Sequence, residues 1–439
     1  MKKIILLFFF TNLIFAQPPT ISINDLWNGN YNPVRLESIR SMKNGTNYTI
    51  LETASQKGTT TVMQYDFNKV NSGTVIVSSD NLPEITYFSN YSFSKNEEKI
   101  ILETEVNPIY RRSKQAIYWV YNKKNKELHK ISDNKIQEPL FSPDATKIAY
   151  VFKRNLFIKD LVSQRKVQVT FDGDYKTLNG ISDWVYEEEF GFVRAFDWSP
   201  DSSALVYMRF DETKVPIFSM DIYGKDVYQF PYRFRYPKAG EENSKITLHH
   251  FTLENRKKKR IFFEGEAPYY IPRIKFEEGN NGLIIQTLNR HQNHLKVWRW
   301  SPKTDKMQLL LEEKDEAYVS IHDNLQFLED ATFLWTSERD GYNHVYHYNR
   351  NGALLNQVTK GNWEVTELYG FNKKTKEIYY QSVEGSSTER GIYSVKLSGK
   401  GKRVLHETRG TNGATFSVGG AYYIHSYSDE QTPPVYTLY

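Results

Sequence analysis

The chain has 439 residues, a formal net charge of +5 and no cysteine. The lack of cysteine excludes disulfides, thiol catalysis and cysteine-ligated metals. The small net charge gives no reason to expect binding to nucleic acid, or to a membrane in the mature form. Aromatic residues make up 15% of the sequence, which favours β-strands with large apolar contacts. A chain of this length is too long to fold around a single ordinary hydrophobic core, unless that core is built from repeats.

The N-terminus has the pattern of a secretory signal peptide. A positive start at residues 2–3 is followed by an apolar run at residues 4–10 and by a small residue before a plausible cleavage site. The apolar run is too short to anchor the chain across a bilayer. We therefore expect residues 1–16 to be a signal peptide and residues 17–38 a lead-in segment. The expected location is a bacterial periplasm or the extracellular space.

From residue 39 onward the sequence repeats an aromatic or Met anchor, a short polar turn and an alternating apolar strand. The clearest copies are FSPD at 141–144 and WSPD at 198–201. A period of about 40–50 residues with several short strands per unit is typical of a β-propeller, because one four-stranded blade cannot bury both of its faces. We predict an all-β, eight-bladed β-propeller over residues 39–439, with seven blades as the alternative. The anchors are Met42, Phe93, Phe141, Trp198, Phe276, Phe327, Phe371 and Phe416.

Two anchor intervals are longer than the others, and both flank Trp198. The 57 residues from Phe141 to Trp198 contain the stretch DWVYEEEF at 183–190, and the 78 residues from Trp198 to Phe276 contain a long segment at 216–250. Long insertions in a repeat architecture usually lie on one rim and serve binding or assembly.

Three consecutive carboxylates, Glu187, Glu188 and Glu189, form the most unusual cluster in the sequence. Adjacent like charges raise one another's pKa values unless a cation joins them. On a strand, Glu188 and Glu189 would point to opposite faces, whereas on a helix they lie about 100° apart and can meet one small cation. We therefore predict a short helix over 183–190. A pair of carboxylates suits a primary ammonium group, and a solvated acidic turn is the alternative that the residues leave open.

Other catalytic chemistry finds little support in the residues. The Gly-x-Ser-x-Gly pentapeptide of a hydrolase nucleophile does not occur, and the nearest Gly385-Ser386 pair lies in a predicted hairpin turn. We therefore expect no nucleophilic catalysis within this chain. The histidines lack neighbouring Glu or Cys ligands at metal-site spacing, so we expect no metal and no cofactor. The basic run at 256–260 is typical of a solvated turn between strands.

The stretch DWVYEEE at 183–189 resembles the double-glutamate motif of the dipeptidyl peptidase IV family, in the prolyl oligopeptidase clan of serine peptidases. The similarity extends over essentially the whole mature chain. Its further motifs are WSPD at 198–201, FDETKVP at 210–216, YPKAG at 236–240, GNWEV at 361–365 and PPVYTL at 433–438.

This resemblance implies a role for particular residues. The second and third glutamates of the family motif bind the free α-amino group of the substrate, a role that falls on Glu188 and Glu189. An arginine of the second blade helps to orient the substrate's backbone carbonyl, and it corresponds to Arg111 in the sequence YRRS. The propeller arm of the family, which helps to form homodimers, corresponds to the 78-residue interval. The C-terminal α/β-hydrolase domain, with its catalytic triad, would lie beyond Tyr439, so we expect the isolated chain to be inactive.

The complete enzyme is then expected to release dipeptides of the X-Pro or X-Ala type from peptide N-termini by acyl transfer through a serine. Its partners would be peptides with a free N-terminus, the hydrolase domain and a second copy of the full-length protein. Two alternatives stay open. One is a non-catalytic exported propeller that binds peptides or glycans, and the other is an endopeptidase-type propeller that only filters substrates by size.

Overall fold

The computed structural model describes residues 21–33, 35–54, 58–265, 267–278 and 282–439. The predicted signal peptide, residues 1–16, lies outside the described residues. A short helix α1, Ile23–Trp27, precedes the first strand, and Ser22 caps it by accepting a hydrogen bond from the Asp25 N–H. Within the described ranges, no helix is long and apolar enough to cross a bilayer.

Eight antiparallel sheets follow one another along the chain and form the blades of a β-propeller. The predicted count of eight blades is confirmed, and seven is wrong. In blades 1 to 3, which are separated by short loops and one 3-10 turn at Ser79–Asn81, neighbouring strands pair in chain order. Their strands are β1 Arg40–Ser41, β2 Asn47–Ala54, β3 Thr59–Asp66 and β4 Lys69–Ser78; β5 Asn90–Phe93, β6 Lys99–Pro108, β7 Lys114–Asn122 and β8 Leu128–Lys130; β9 Gln137–Phe141, β10 Lys147–Phe152, β11 Asn155–Asp160 and β12 Lys166–Gln168.

Blade 4 departs from this simple order because two segments are inserted into it. The first insertion carries the helix α2, and the second forms a separate two-stranded sheet, which we call the arm. In chain order the elements are β13 Thr177–Asn179, α2 Trp184–Glu189, β14 Phe196–Trp198, β15 Ala204–Asp211, the arm strands β16 Ile217–Ile222 and β17 Phe230–Arg235, and then β18 Lys245–Thr252 and β19 Lys258–Ile261.

Blades 5 to 8 return to the simple order, and blade 8 has three strands among the described residues. Their strands are β20 Tyr270–Phe276, β21 Leu283–Leu288, β22 His294–Ser301 and β23 Lys306–Lys314; β24 Gln326–Phe327, β25 Phe333–Ser337, β26 His344–Tyr348 and β27 Leu354–Gln357; β28 Val365–Asn372, β29 Glu377–Ser382, β30 Gly391–Lys396 and β31 Arg403–His406; β32 Thr411–Phe416, β33 Tyr423–Ser428 and β34 Val435–Leu438.

The predicted anchors all lie within one residue of the end of a blade's innermost strand. Trp198, at the end of β14, shows what such a position does. Its ring is buried, and its indole N–H donates a hydrogen bond of 3.2 Å to the Leu140 carbonyl in the preceding blade. At this position the anchor joins two neighbouring blades.

Between blade 8 and blade 1 no strand is shared among the described residues, and hydrogen bonds and aromatic contacts close the ring. The Val418 N–H donates a hydrogen bond of 2.9 Å to the Ser41 hydroxyl. The Tyr422 ring stacks on Phe67 with centroids 5.2 Å apart, and the Asn68 amide donates to the Tyr422 hydroxyl at 2.8 Å. Aromatic packing of this kind buries apolar area and adds directional contacts.

The insertion that carries α2 interrupts the inner strand of blade 4. Both β13 and β14 pair with β15, so they are two halves of one inner strand. The chain leaves at Gly180, whose φ of +75° is the left-handed conformation that glycine adopts readily. The Ala195 N–H donates to the Gly180 carbonyl at 3.0 Å and closes the neck of the insertion. The helix α2 therefore emerges at the inner edge of the blade, the edge that surrounds the central channel in a propeller.

Candidate functional site

The helix α2 is the predicted short helix, and both of its ends are fixed. Asp183 caps the N-terminus by accepting a hydrogen bond of 2.9 Å from the Tyr186 N–H, and its second oxygen accepts one from the Ser244 hydroxyl. Burial raises the pKa of Asp183. At the other end, the Arg273 guanidinium donates to the Phe190 carbonyl at 2.8 Å. A cation suits that position, since the last carbonyls of a helix carry negative partial charge.

Tyr186 lies on the buried face of α2 and packs against blades 4 and 5. Its ring lies edge-on to Phe190 and Phe210, with centroids 4.8 Å and 4.9 Å away. Its hydroxyl oxygen accepts a hydrogen bond of 3.0 Å from the Ile271 N–H in blade 5. The helix is short, but this packing and its two capped ends fix its orientation against blades 4 and 5.

The three glutamates of the motif have different surroundings. Glu187 is 2% exposed, and one of its oxygens accepts hydrogen bonds from the backbone N–H groups of Arg112 at 2.6 Å and Ser113 at 2.8 Å. Glu187 therefore holds the loop between β6 and β7, which we call the Arg111 loop (residues 109–113). Sequence reasoning gave Glu187 no role. The helical period offered a signal, because positions 183, 187 and 190 fall on one face of α2.

Glu188 and Glu189 face outward on the other side of α2. The Arg111 Nε lies 3.2 Å and 3.1 Å from the two Glu188 oxygens, and these side chains are 70% and 32% exposed respectively. Glu189 is exposed, and within the described residues its carboxylate has no hydrogen bond or ion pair. The structure thus brings the three predicted site residues together. The direct Arg111–Glu188 pair was not predicted.

The exposed Arg111–Glu188 pair is easily opened. Exposed salt bridges contribute little to stability, with a median of about 0–1 kcal/mol. Arg111 can therefore exchange Glu188 for another partner at small cost. Together Glu188, Glu189 and Arg111 carry a net charge of −1, so the addition of one cation neutralises the group.

The base of the arm supports the site from behind. Trp184 of α2 packs against Tyr236, with ring centroids 4.3 Å apart, and against Phe234 at 6.5 Å. The ring of Tyr110 in the Arg111 loop lies 5.8 Å from Phe234. The two parts of the site, α2 and the Arg111 loop, therefore rest on the same aromatic surface of β17 and the residues that follow it.

Comparison with known proteins gives consistent matches. The family model described as dipeptidyl peptidase IV (DPP IV) N-terminal region matches residues 94–434. The crystal structure of Porphyromonas gingivalis dipeptidyl peptidase 4 is similar with a TM-score of 0.89 and 34% sequence identity, over 96% of this chain and 60% of that one. A probable dipeptidyl-aminopeptidase B of Phaeosphaeria nodorum is 25% identical over 89% of this chain and 46% of its own length. Dipeptidyl peptidase 4 of Arthroderma otae is 27% identical over 83% and 49%.

These matches agree with the eight-bladed fold. The chain spans about half the length of the curated relatives it matches. Because the family model covers more than half of its residues, the chain belongs to the dipeptidyl peptidase IV family, of which it forms the N-terminal propeller region.

Proposed function

We propose that Glu188 and Glu189 bind the free α-amino group of a peptide substrate, and that the propeller thereby sets which peptide bond is cleaved. The observation that carries this proposal is the state of the two carboxylates: Glu189 is exposed and unpaired among the described residues, beside a Glu188 held only by an exposed arginine. An ammonium group offers three donors and one positive charge, which this pair of carboxylates can accept.

Arg111 takes a second role once the ammonium is bound. The incoming cation competes with Arg111 for Glu188, and the released guanidinium then donates to the backbone carbonyl of the first substrate residue. Its five N–H donors and permanent charge suit that contact. The first residue of the peptide is thus held at both its amino and its carbonyl groups, which fixes the direction of the chain.

The nucleophile that cleaves the bond lies, in this proposal, on a hydrolase domain outside these 439 residues. No Gly-x-Ser-x-Gly sequence occurs in the chain, which supports that division of roles. The complete peptidase would release X-Pro or X-Ala dipeptides through a serine acyl-enzyme. The propeller contributes the fixed distance between the ammonium site and the scissile bond, and it limits access to that bond.

We further propose that the arm joins two copies of the exported, full-length protein. Its two strands and their connecting turn expose apolar side chains, among them Tyr223 at 74%, Val227 at 91% and Tyr228 at 84%. An exposed apolar group of this kind is typical of an interaction surface. Light scattering on the full-length protein tests the assembly, and a monomer that persists at all concentrations would contradict it.

The test of the ammonium site uses the peptidase that contains this propeller. We expect Glu188→Ala or Glu189→Ala to lower kcat/KM for dipeptide release by about 100-fold or more, because removal of one partner of a desolvated charged pair costs about 2–5 kcal/mol. The matched control is Glu254→Ala, which removes an exposed carboxylate in the turn between β18 and β19. Near-normal turnover in either motif variant would overturn the assignment.

N-acetylated substrates separate this proposal from the alternatives. Acetylation removes the positive charge and two of the donors, so a site for the α-amino group should exclude such peptides. A propeller that filters by size alone would accept them, and a non-catalytic binding protein would cleave neither form.

A further inference from the structure

A cavity lies behind α2, on the side away from Glu188 and Glu189. It is bounded by the Arg111 loop, blades 3 and 4 and the base of the arm, and its volume is about 350 Å³. Cavities that bind small molecules usually measure roughly 300–1,000 Å³, so this one has room for a small ligand. Neither Glu188 nor Glu189 lines it.

Glu212, directly after β15 in the FDETKVP stretch, points into this cavity. Its side chain lines the cavity although the residue is only 6% exposed. Its backbone is fixed by a hydrogen bond of 2.7 Å from its N–H to the Lys176 carbonyl and one of 3.0 Å from the Val215 N–H to its own carbonyl. Its carboxyl group has no hydrogen bond or salt bridge within the described part of the chain. A largely buried carboxyl group without a protein partner keeps its hydrogen-bonding capacity for whatever fills the cavity.

Arg154 supplies the opposite charge in the same cavity. Its guanidinium donates one hydrogen bond of 2.7 Å to the Asp174 carbonyl, and no carboxylate among the described residues forms a salt bridge with it. Burial raises the pKa values of both Glu212 and Tyr110, and the Arg154 charge opposes the rise at both, so Arg154 lies near both groups. Glu212 and Arg154 thus share one cavity without bonding to each other.

Two tyrosine hydroxyls complete the polar lining. Tyr110, from the Arg111 loop, and Tyr232, from β17, both line the cavity. Neither hydroxyl has a hydrogen bond among the residues that the structure describes. A carboxyl group, a guanidinium and two hydroxyls therefore converge on one space, and each keeps unused capacity for a ligand.

We propose that this cavity binds a small zwitterion, an α-amino acid with an apolar side chain, whose ammonium group contacts Glu212 and whose carboxylate contacts Arg154. The ligand's ammonium group favours the ionised form of Glu212 and its carboxylate pairs with Arg154, whereas a simple anion or cation makes only one of these two contacts. The tyrosine rings also favour a nearby ammonium by cation–π attraction. The apolar side chain would pack on Ile109, Leu178, Ile181 and Val193, which are among the apolar residues of the wall.

The experiment is calorimetric titration of the 439-residue chain with L-leucine. Saturable binding to one site is expected. The 3-methylbutylammonium ion, which lacks the carboxylate, and 4-methylpentanoate, which lacks the ammonium group, should each bind at least about 30-fold more weakly, because each makes only one of the two charge-assisted contacts. Glu212→Gln and Arg154→Met should weaken L-leucine binding to a similar degree. Glu254→Gln, an exposed glutamate, is the matched control and should bind normally.

The inference is independent of the proposed peptidase role, and one variant separates the two. Glu188→Gln combined with Glu189→Gln should leave L-leucine binding unchanged, since neither residue lines the cavity. Absence of saturable binding to the unaltered chain would overturn the proposal, because the cavity would then hold only water. It would also fail if Glu212→Gln bound L-leucine normally while keeping the unaltered melting temperature, or if the Glu188/Glu189 double variant lost the binding.

Discussion

Blades 3 and 4 begin with the same turn and differ in what is inserted into them. In blade 3 the Ser142 hydroxyl accepts a hydrogen bond of 3.0 Å from the Lys147 N–H, and in blade 4 the Ser199 hydroxyl accepts one of 2.9 Å from the Ala204 N–H. The two turns also touch, because the Asp144 N–H donates to the Ser202 hydroxyl at 3.0 Å. The shared sequence therefore builds the same local structure twice and joins the two blades.

The inner strands of these two blades show the difference. Blade 3 has one continuous inner strand, β9, whereas the inner strand of blade 4 is split into β13 and β14 around α2. The arm is inserted between β15 and β18 of the same blade. The proposed ammonium site and the cavity behind α2 both lie beside these insertions. In this molecule the repeat provides the scaffold, and interruptions of the repeat provide the sites.

The largest expected effect tests whether the insertion in blade 4 holds a loop of blade 2. Glu187→Ala leaves the backbone N–H groups of Arg112 and Ser113 without their acceptor. Hydrogen bonds to a charged group contribute about 1.5–3 kcal/mol each, so we expect the free energy of unfolding to fall by about 4 kcal/mol. Urea denaturation measures it. Glu187→Gln keeps an acceptor oxygen and should lose less than half as much, and equal losses for both variants would contradict the role.

The next effect concerns Glu212, the buried acid that follows β15 and precedes the arm. Burial, with the Asp183 charge as a smaller cause, raises the pKa of Glu212 to about 8 from an ordinary value of 4.5. The folded state therefore holds a proton that the unfolded state releases, and stability falls as pH rises from about 5 to 8. Relative to Glu212→Gln, the unaltered chain should lose on the order of 3 kcal/mol across that window.

Urea unfolding at pH 5 and pH 9 checks this shift for both proteins. Asp183, Arg154 and Arg235 also act on Glu212, and they are common to both, so the difference isolates the Glu212 proton. Glu254→Gln is the control and should follow the unaltered chain. Parallel pH profiles for the unaltered chain and Glu212→Gln would show that Glu212 ionises normally.

A smaller effect is expected at the start of α2, which blade 3 lacks. Asp183→Ala removes the cap on Tyr186 and the contact with Ser244. An N-cap contributes about 0.5–2 kcal/mol, and the loss of the second contact brings the expected cost to about 2 kcal/mol. Asp183→Asn keeps an oxygen that can cap the helix and should be close to the unaltered chain in melting temperature. If the alanine variant melts normally, the cap does not stabilise α2.

The smallest effect tests the serine turn that blades 3 and 4 share. Ser142→Ala and Ser199→Ala each remove one side-chain acceptor in equivalent turns, so each should cost about 1 kcal/mol in unfolding free energy. If the two turns are equivalent, the two losses of unfolding free energy should be similar. A cost that appeared in only one blade would mean that the two turns are not energetically equivalent.

The sequence predicted the repeat well because each anchor and its turn are local features. The eight blades with their anchors and the short helix predicted over 183–190 are confirmed, whereas the splitting of the inner strand of blade 4 was not predicted. The partners of the site were not predicted, because they lie far away in the chain. Glu187 bonds to residues 74 and 75 positions earlier, and Arg273 reaches a carbonyl 83 positions earlier.

Glu212 shows the same limit for a single side chain. In the sequence it follows Asp211 at the end of a strand, and nothing nearby distinguishes it from a solvated acid. Its burial results from the packing of the Arg111 loop, α2 and the arm around one cavity. Because this burial depends on three separate segments of the chain, the residues next to Glu212 in the sequence do not predict it.

The most direct test of the ammonium site is a cycle that combines Glu189→Ala with N-acetylation of the substrate, measured as kcat/KM in the peptidase that contains this propeller. Each change alone should lower kcat/KM by about 100-fold or more, since each removes one partner of the same charged pair. Together they should lower it little further, which gives a coupling energy of about 2–5 kcal/mol. Additive losses would mean that Glu189 does not contact the α-amino group, and the central claim would be wrong.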